Sequence, residues 1–312
     1  MALSDVIREK FDGKVFSLKE VYEAIPGKPK TTIRGRIYDN LGVKFEKISK
    51  GIYKTISGNN QCLVIEGDGR KLDMLGDNSI DCIITDHPWS DKKSNKGGNR
   101  KFADSFDCFN YTVEDFKEKA RVLKEGAFLV EVLPSENENN FDYLYEIKKM
   151  AQKCGLVYYS RVPWKKGNFV SNTGRKSKNT EDIMIFTKGK ARALRIDAKK
   201  TKSSGTTQYM SGSNGMLPTC FDIEPVGKKE KIHQSEKPIE LWEQLLEYIT
   251  LENEVVLDSF SGSGSVGVAC LNKKRNCILI EKLKENVDKI KERLFNTFGN
   301  GYCIEVNIAD CI

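Results

Sequence analysis

A carboxylate, a rigid proline and an indole come together in four consecutive residues: Asp86, His87, Pro88 and Trp89. The preceding apolar run, 80–85, predicts a buried strand. Pro88 lacks a backbone N–H and has a fixed φ, so the chain must turn out at the carboxyl end of that strand, where open α/β sheets bind ligands. There Asp86 and the carbonyl of His87 could accept two hydrogen bonds from an amine, beside the stacking face of Trp89. Taken alone, four such residues more often form a structural turn.

A second segment, 254–271, reads as a buried strand, a polar turn and a helix. Its turn has GxGxxG spacing, supplied by Gly262, Gly264 and Gly267. Glycines in such a turn let the backbone approach a nucleoside closely beside a helix N-terminus. The next predicted strand ends in Glu281, whose carboxylate could accept hydrogen bonds from ribose hydroxyls. Tight packing of a strand against a helix would also use these glycines.

Together the two segments resemble S-adenosylmethionine-dependent DNA amino-methyltransferases. The tetrad, the turn at 258–265 and the stretch 233–238 (His-Gln-Ser-Glu-Lys-Pro) carry the resemblance. With the tetrad upstream of the glycine turn, the order is similar to the β group of that family. Two further segments fit, 64–68 and 180–188, so the resemblance covers roughly 61–298.

The resemblance implies roles for individual residues. The four tetrad residues would form the catalytic site, with the target base flipped out of the duplex onto Trp89. The cofactor would be S-adenosylmethionine, and the residues expected around it are Asp68, Ser235, Lys237, Asp258, Phe260, Gly262, Gly264 and Glu281. Within this set, Asp68 would lie near the adenine and Glu281 at the ribose. Ser235, Lys237 and Asp258 would lie near the amino-acid tail.

His87 stands where the family usually has the first of two prolines. Because the family uses the backbone carbonyl at this position, histidine can supply the same acceptor, although the rigidity of a second proline is lost. A leading aspartate is more often associated with adenine-N6 enzymes than with cytosine-N4 enzymes. The resemblance therefore implies a site-specific DNA adenine-N6 methyltransferase.

Four other functions stay open. Cytosine-N4 methylation of DNA and amino-methylation of RNA would use the same tetrad. A catalytically inactive DNA-binding homologue would bind DNA without turnover. A nicotinamide-dependent oxidoreductase fits less well, because its cofactor-binding half usually comes first in the chain.

Strands and helices alternate after about residue 61, which indicates a mostly parallel sheet with helices on both faces. We therefore expect an α/β, Rossmann-like methyltransferase fold over 61–312. Helices are expected near Met74 and at 112–123, 143–153 and 239–249, and further strands at 62–65, 127–133, 156–162 and 183–187. Regular structure lapses between 189 and 230, which we interpret as a short target-recognition or loop insertion.

Residues 1–57 read as a separate, small α+β domain. Ser17 and Glu20 have the spacing of a capping box that opens a short helix, a second helix is expected at 31–41, and 43–56 forms a hairpin. This order resembles a winged helix. Its second helix would lie against DNA, with contacts expected from Lys30, Thr32, Arg34 and Arg36. A docking or dimerisation domain is the alternative.

The net charge of +7 suggests a polyanionic partner. The segment 161–202 contains thirteen lysines or arginines and only three acidic residues. This excess predicts contact with the phosphates of double-stranded DNA, and the residues expected to make it are Lys165, Lys166, Arg175 and Lys176. The resemblance leaves open a homodimer and a separate restriction endonuclease as partners.

Nine cysteines, an odd number without a CxxC pair, and only two histidines predict reduced thiols and no metal site. No run approaches 18 apolar residues, and the N-terminus has no cleavable signal. We therefore expect a soluble, cytoplasmic protein without a membrane partner.

Overall fold

The chain folds into two compact units, Met1–Asn60 and Gln61–Ile312. The structure is a computed structural model, and the residues it describes are 3–11, 15–41, 44–55, 60–89, 108–168, 171–173, 176–195, 199–201, 205, 207–227, 229–233, 235–299 and 303–306.

The first unit is a small α+β domain. Its elements in chain order are α1 (Leu3–Lys10), β1 (Val15–Ser17), α2 (Leu18–Ala24), α3 (Lys30–Tyr38), β2 (Phe45–Ser49) and β3 (Ile52–Thr55). The strands form an antiparallel sheet in the order β1-β3-β2. The capping box is present: the Glu20 carboxylate accepts from the Ser17 amide at 2.6 Å, and Ser17 Oγ accepts from the Glu20 amide at 3.3 Å.

Helix α3 is anchored through Ile33 and Ile37, one turn apart and both fully buried in the core of this unit. The helix ends at Tyr38, three residues before the predicted end at 41. The pattern did not predict α1 or β1.

The second unit contains eighteen described elements, five helices among them. They are β4 (Cys62–Glu66), β5 (Ile80–Thr85), α4 (Val113–Val122), β6 (Leu123–Pro134), α5 (Phe141–Lys153), β7 (Leu156–Lys165), β8 (Ser171–Thr173), β9 (Lys176–Lys178), β10 (Thr180–Lys188), β11 (Lys199–Thr201), β12 (Thr207–Tyr209), β13 (Phe221–Asp222), α6 (Ile239–Ile249), β14 (Val255–Asp258), α7 (Ser265–Asn272), β15 (Asn276–Glu281), α8 (Lys284–Phe298) and β16 (Cys303–Val306).

Nine of these strands form one sheet, in the order β13-β7-β10-β6-β5-β14-β15-β4-β16. Only β10 runs antiparallel to its two neighbours, β6 and β7. All six residues of β5 are buried, because a central parallel strand is covered on both faces. Cys82 and Ile84 belong to the core shared with α6, α7 and α8, whereas Ile83 belongs to the core shared with α4 and α5. The predicted Rossmann-like architecture is confirmed.

The predicted helix near Met74 is wrong. That stretch is a series of turns between β4 and β5. Arg121 at the end of α4 donates to the carbonyls of Leu72 and Leu75, both at 2.8 Å. The Leu72 carbonyl also accepts from the Leu75 amide at 2.9 Å, so a single turn and a guanidinium satisfy these carbonyls where a helix was predicted.

The interval between 189 and 230 contains only short strands among its described residues. The last of them, β13, pairs with β7 at the edge of the sheet. The indole of Trp164 donates to the carbonyl of Ile223 at 2.9 Å and fixes this return to the sheet. Within the described parts of the chain, no helix is both long and apolar enough to cross a membrane.

Candidate active site

The tetrad and the glycine turn lie side by side because they follow neighbouring strands. Strand β5 pairs in parallel with β14, so both segments leave the sheet at the same edge. At this edge the hydroxyls of Thr85 and Ser259 form a buried hydrogen bond of 3.2 Å. This is the point from which the chain proceeds to opposite sides of the sheet, where α/β folds bind ligands.

Two adjoining cavities open at this edge. The larger, about 400 Å³, has the size of a small-molecule site. Of the expected cofactor residues, it is lined by Asp68, Phe260, Gly262 and Glu281. The smaller one is lined by Ser235, Lys237 and Asp258, together with Phe260 and Gly262. Asp86 borders both cavities.

Gly264 lines neither cavity but is required by the turn itself. It has a φ of +70° and forms the N-cap of α7. A Cβ added there would lie 2.9 Å from Cγ2 of Ile290 on α8. The lack of space for a side chain is more severe at Gly69, which the sequence analysis missed. A Cβ there would lie 1.6 Å from the Ser259 carbonyl oxygen. The loop after β4 thus packs directly on the loop after β14.

Glu281 holds the glycine turn and borders the larger cavity. One carboxylate oxygen accepts from the Gly262 amide at 2.9 Å, and the other accepts from the Leu283 amide at 3.0 Å and from Asn286 at 3.2 Å. An ionised carboxylate has about four acceptor sites, so one remains for a ligand hydroxyl.

Asp258 is a buried carboxylate at the wall of the smaller cavity. Burial raises its pKa to about 8, the Phe260 amide opposes that rise, and the nearby charges of Asp86 and Glu281 add to it. A cation in the smaller cavity would relieve both the desolvation and the repulsion. The pair of cavities therefore fits a ligand with a hydroxylated ring system at one end and a positive charge at the other.

Asp86 is the first member of a row of alternating charges. Lys237 Nζ contacts Asp86 Oδ2 and lies 3.4 Å from Glu181 Oε2, and Lys166 Nζ lies 2.6 Å from Glu181 Oε1. Burial raises the pKa of Asp86, partly offset by Lys237 and reinforced by Glu181. Burial also acts to raise the pKa of Glu181, but its two lysine partners outweigh it and the pKa is lowered. No described residue donates to Asp86 Oδ1, which leaves this oxygen available to a ligand.

The imidazole ring of His87, the second residue of the tetrad, is buried. Its Nε2 lies 2.8 Å from the Tyr143 hydroxyl on α5, and its ring centroid lies 3.9 Å from that of Tyr111. Burial, reinforced by the charge of Lys119, holds the pKa of His87 well below its usual value, so the ring is neutral.

Pro88 and Trp89 continue away from the sheet. The Pro88 carbonyl accepts from the Phe109 amide at 3.1 Å, which fixes the exit of the chain. Pro88 borders the larger cavity, whereas Trp89 is half-buried and lines neither cavity.

Several neighbours of the site escaped the sequence analysis: Gly69, Phe109, Glu181 and His233. Phe109 lines the larger cavity, with its ring centroid 5.5 Å from that of Phe260. Glu181 falls in the quoted segment 180–188, but only the antiparallel pairing of β10 reveals that it faces Lys237. His233 lies in the quoted 233–238 stretch and borders both cavities.

The four expected DNA contacts on α3 are all exposed. Arg36 pairs with Asp39 at 3.1 Å. In the second unit, Lys165 pairs with Asp222 at 2.7 Å, and Lys166 is the partner of Glu181. Lys176 belongs to β9, and Arg175 lies outside the described residues. A search of the described residues found no group of three His, Cys, Asp or Glu side chains that could hold a metal ion.

Comparison with known proteins places this geometry in a family. The family model described as DNA methylase, of the N6 and N4 amino-methyltransferases, matches residues 80–292. The chain is 28% identical over 263 residues to the Type II methyltransferase M.HpaI of Haemophilus parainfluenzae, covering 81% of this chain and 80% of that protein. It is 27% identical over 261 residues to the Type II methyltransferase M.HinfI of Haemophilus influenzae, covering 78% and 71%.

The fold has counterparts among solved structures. In the complex of M1.HpyAVI with SAM, the matching chain is 22% identical with a TM-score of 0.52, and the match covers 75% of this chain and 99% of that one. The likeness supports a common fold around the two cavities. From the family match and the architecture, the chain belongs to the N6/N4 DNA methylases, the S-adenosylmethionine-dependent DNA amino-methyltransferases.

Proposed function

We propose that this protein transfers a methyl group from S-adenosylmethionine to the exocyclic N6 of adenine at specific sites in double-stranded DNA. The observation that carries the proposal is the position of Asp86, in the wall shared by the two cavities, with Lys237 held at its Oδ2. The leading aspartate of the tetrad favours adenine over cytosine, as the family resemblance implies.

The exocyclic amine is a weak nucleophile because its lone pair is delocalised into the base. In the proposed reaction it donates one hydrogen to Asp86 Oδ1 and the other to the carbonyl of His87. The two bonds turn the nitrogen lone pair away from the ring and toward the cofactor. Asp86 then accepts the proton that the amine loses, a role suited by its raised pKa.

The proposed cofactor residues have complementary tasks. S-adenosylmethionine, when bound, supplies a methyl group attached to a sulfonium. Once the methyl group is transferred, the sulfur is left as a neutral thioether. Asp258 offers its buried carboxylate to a cation, and the Glu281 carboxylate is in position to receive ribose hydroxyls. Phe260 and Phe109 offer apolar faces to the adenine ring. These donor types match a nucleoside with a cationic tail.

For Lys237 we propose a task beyond the position near the cofactor's tail that the resemblance implies. Although it borders the smaller cavity, its ammonium is directed to Asp86 and Glu181. We propose that it holds Asp86 Oδ2 and so orients Oδ1 toward the amine. Charge-assisted bonds of this kind are strong enough to fix a carboxylate rotamer.

We further propose that Trp89 stacks on the flipped base and that the first unit binds the DNA backbone. The exposed lysine and arginines of α3 support phosphate contact by that winged-helix-like domain. A homodimer and a companion restriction endonuclease remain part of the proposal for a modification system.

The test is transfer of labelled methyl from S-adenosylmethionine to mixed-sequence double-stranded DNA, followed by digestion to nucleosides and mass analysis. We expect N6-methyladenine. N4-methylcytosine would replace adenine by cytosine as the target, and label found only in an RNA substrate would overturn the DNA assignment.

Replacing Asp86 by alanine should lower transfer by about a hundredfold or more, since both the amine anchor and the proton acceptor are lost. The matched control is Asp73→Ala, which removes an exposed carboxylate far along the β4–β5 connection. Transfer by Asp86→Ala at the rate of the control would refute the catalytic assignment.

A further inference from the structure

The mechanism proposed above uses only the backbone carbonyl of His87, yet the side chain is 1% exposed and packed among polar groups. A polar ring is buried at a cost unless it is hydrogen-bonded, and proline at this position would bury nothing polar. The imidazole therefore calls for an explanation beyond its carbonyl.

One hydroxyl defines the protonation of the ring. Tyr143 Oη accepts a hydrogen bond from the Tyr111 amide at 3.0 Å and lies 2.8 Å from Nε2 of His87. A phenol has a single hydrogen to donate, and no other acceptor for it is found among the described residues. Donation by Tyr143 to Nε2 satisfies both groups and makes Nε2 the unprotonated nitrogen.

The surroundings of the other ring nitrogen, Nδ1, favour the same tautomer. Nδ1 is buried without a hydrogen-bond partner and lies 4.0 Å from Oε2 of Glu131. An Nδ1 lone pair would face that carboxylate, whereas an Nδ1–H presents it with a positive end. Glu131 itself is fixed on β6 by Lys119 and by the Tyr111 hydroxyl at 3.0 Å.

Aromatic side chains also pack around the imidazole of His87. Tyr111 lies against one face of the imidazole with an interplanar angle of 36°, and the Phe109 centroid is 5.5 Å away. The ring is thus held by groups from β6, α4, α5 and the segment before α4, namely Glu131, Lys119, Tyr143, Phe109 and Tyr111.

We propose that Tyr143 is a positioning residue that acts through His87: it locks the imidazole as the neutral Nδ1–H tautomer, and the locked ring fixes the His87 carbonyl that receives the target amine. The ring thereby provides the constraint that a second proline would provide in the tetrad. The inference rests on the proposed methyl transfer for its consequence, but the lock itself is a property of the free protein.

Histidine nitrogen NMR tests the lock without any turnover. The chain has two histidines, so ¹⁵N labelling gives two sets of ring signals, and the signals lost in His87→Pro are those of His87. We expect a neutral Nδ1–H ring from about pH 8 down to about pH 5.5, below the ordinary histidine pKa. Tyr143→Phe should give a mixture of tautomers, and the control Tyr145→Phe, exposed on the same helix, should not. An Nε2–H ring, or titration at the ordinary pKa, would overturn the proposal.

A double-mutant cycle tests the consequence. At saturating DNA and cofactor, Tyr143→Phe should lower single-turnover transfer about tenfold in the native background and less than twofold in His87→Pro. The lost bond to the Tyr111 amide is common to both backgrounds and cancels. Cofactor affinity, measured by calorimetry, should stay within twofold throughout.

Equal losses in the two backgrounds would mean that Tyr143 is only structural, which overturns the positioning role. If the unmodified protein transfers no methyl group at all, the proposed function fails, and the NMR result still decides whether the His87 lock exists.

Discussion

At the scale of single residues, the site depends on charges placed where water is scarce. Three carboxyls lie around the two cavities: Asp86, Asp258 and Glu281. The pKa values of Asp86 and Asp258 are raised. Asp86 has a lysine partner, whereas Asp258 has only the Phe260 amide and the Thr85 hydroxyl to favour its ionised form. The cavity is therefore poised for a cationic ligand before any ligand arrives.

Glu181 should shift the acid limb of the pH–rate profile of methyl transfer through its effect on the pKa of Asp86. Its negative charge helps to raise the pKa of Asp86, which must be ionised to accept the amine. Replacing Glu181 by glutamine removes that charge, so the acid limb of transfer should move to lower pH. Asp182→Asn is the control, since Asp182 pairs with Arg161 instead. A limb that stays in place or moves to higher pH would contradict the prediction.

His87 should also make the protein acid-sensitive. Its folded pKa lies well below the ordinary value of 6.5, so the unfolded chain binds the proton first as pH falls. Its contribution to stability is complete above pH 6.5 and is lost between that pH and the lower folded pKa. The free energy of unfolding should therefore fall less steeply in His87→Pro than in the unmodified protein between pH 6.5 and 5, measured by denaturant titration. The opposing contribution of Asp258 is present in both proteins; identical slopes would count against a neutral buried ring.

At the scale of elements, two loops from separate strands form the cofactor side of the site. The loop after β4 contributes Asp68 and Gly69, and the loop after β14 contributes Ser259 and Phe260. They touch at Gly69, where no side chain fits. We therefore expect a displacement of one loop to displace the other.

Gly69→Ala should therefore disturb the cofactor site and the fold together. Moving the loops apart to admit a methyl group should lower the free energy of unfolding by about 1–3 kcal/mol, and cofactor affinity, measured by calorimetry, should fall at least tenfold. In Gly76→Ala the added methyl meets nothing closer than 4.0 Å, which makes it the matched control. If the two variants bind the cofactor equally well, the loops do not constrain each other.

The elements also show what sequence alone could predict. The strand leading to Asp86 and the turn around Gly262 were predictable because hydrophobic runs, proline and glycine act locally. The partners of Lys237 were not, because Asp86 and Glu181 come from distant parts of the chain. Glu281 was predicted, but its bond to the Gly262 amide was not, since that bond depends on how β15 aligns with the turn. Sequence located the site, and long-range packing decided which groups meet there.

At the scale of the whole molecule, we propose methyl transfer for the second unit and additional contact with the DNA backbone for the first. The second unit holds the described cavities, and the first presents a basic helix face. The order of the motifs was readable from the sequence, but the positions of β13 and β16 at the two sheet edges were not.

The basic face of α3 should add to DNA affinity without adding sequence preference. Replacing Lys30 and Arg34 together by alanine should weaken binding uniformly across DNA sequences and reduce the slope of log affinity against log salt by about two. Lys10→Ala with Lys19→Ala removes the same charge from α1 and α2 and is the control. An unchanged salt slope in the α3 variant would exclude phosphate contact by this helix.

The hydrogen bond from the Phe109 amide to the Pro88 carbonyl has a consequence for how such proteins diversify. It joins two residues that are far apart in sequence, so Pro88 and Phe109 are held together at one point beside the site. We expect the number and types of residues between these two positions to vary among related chains, because the bond that holds the exit of the chain uses only backbone atoms of Pro88 and Phe109.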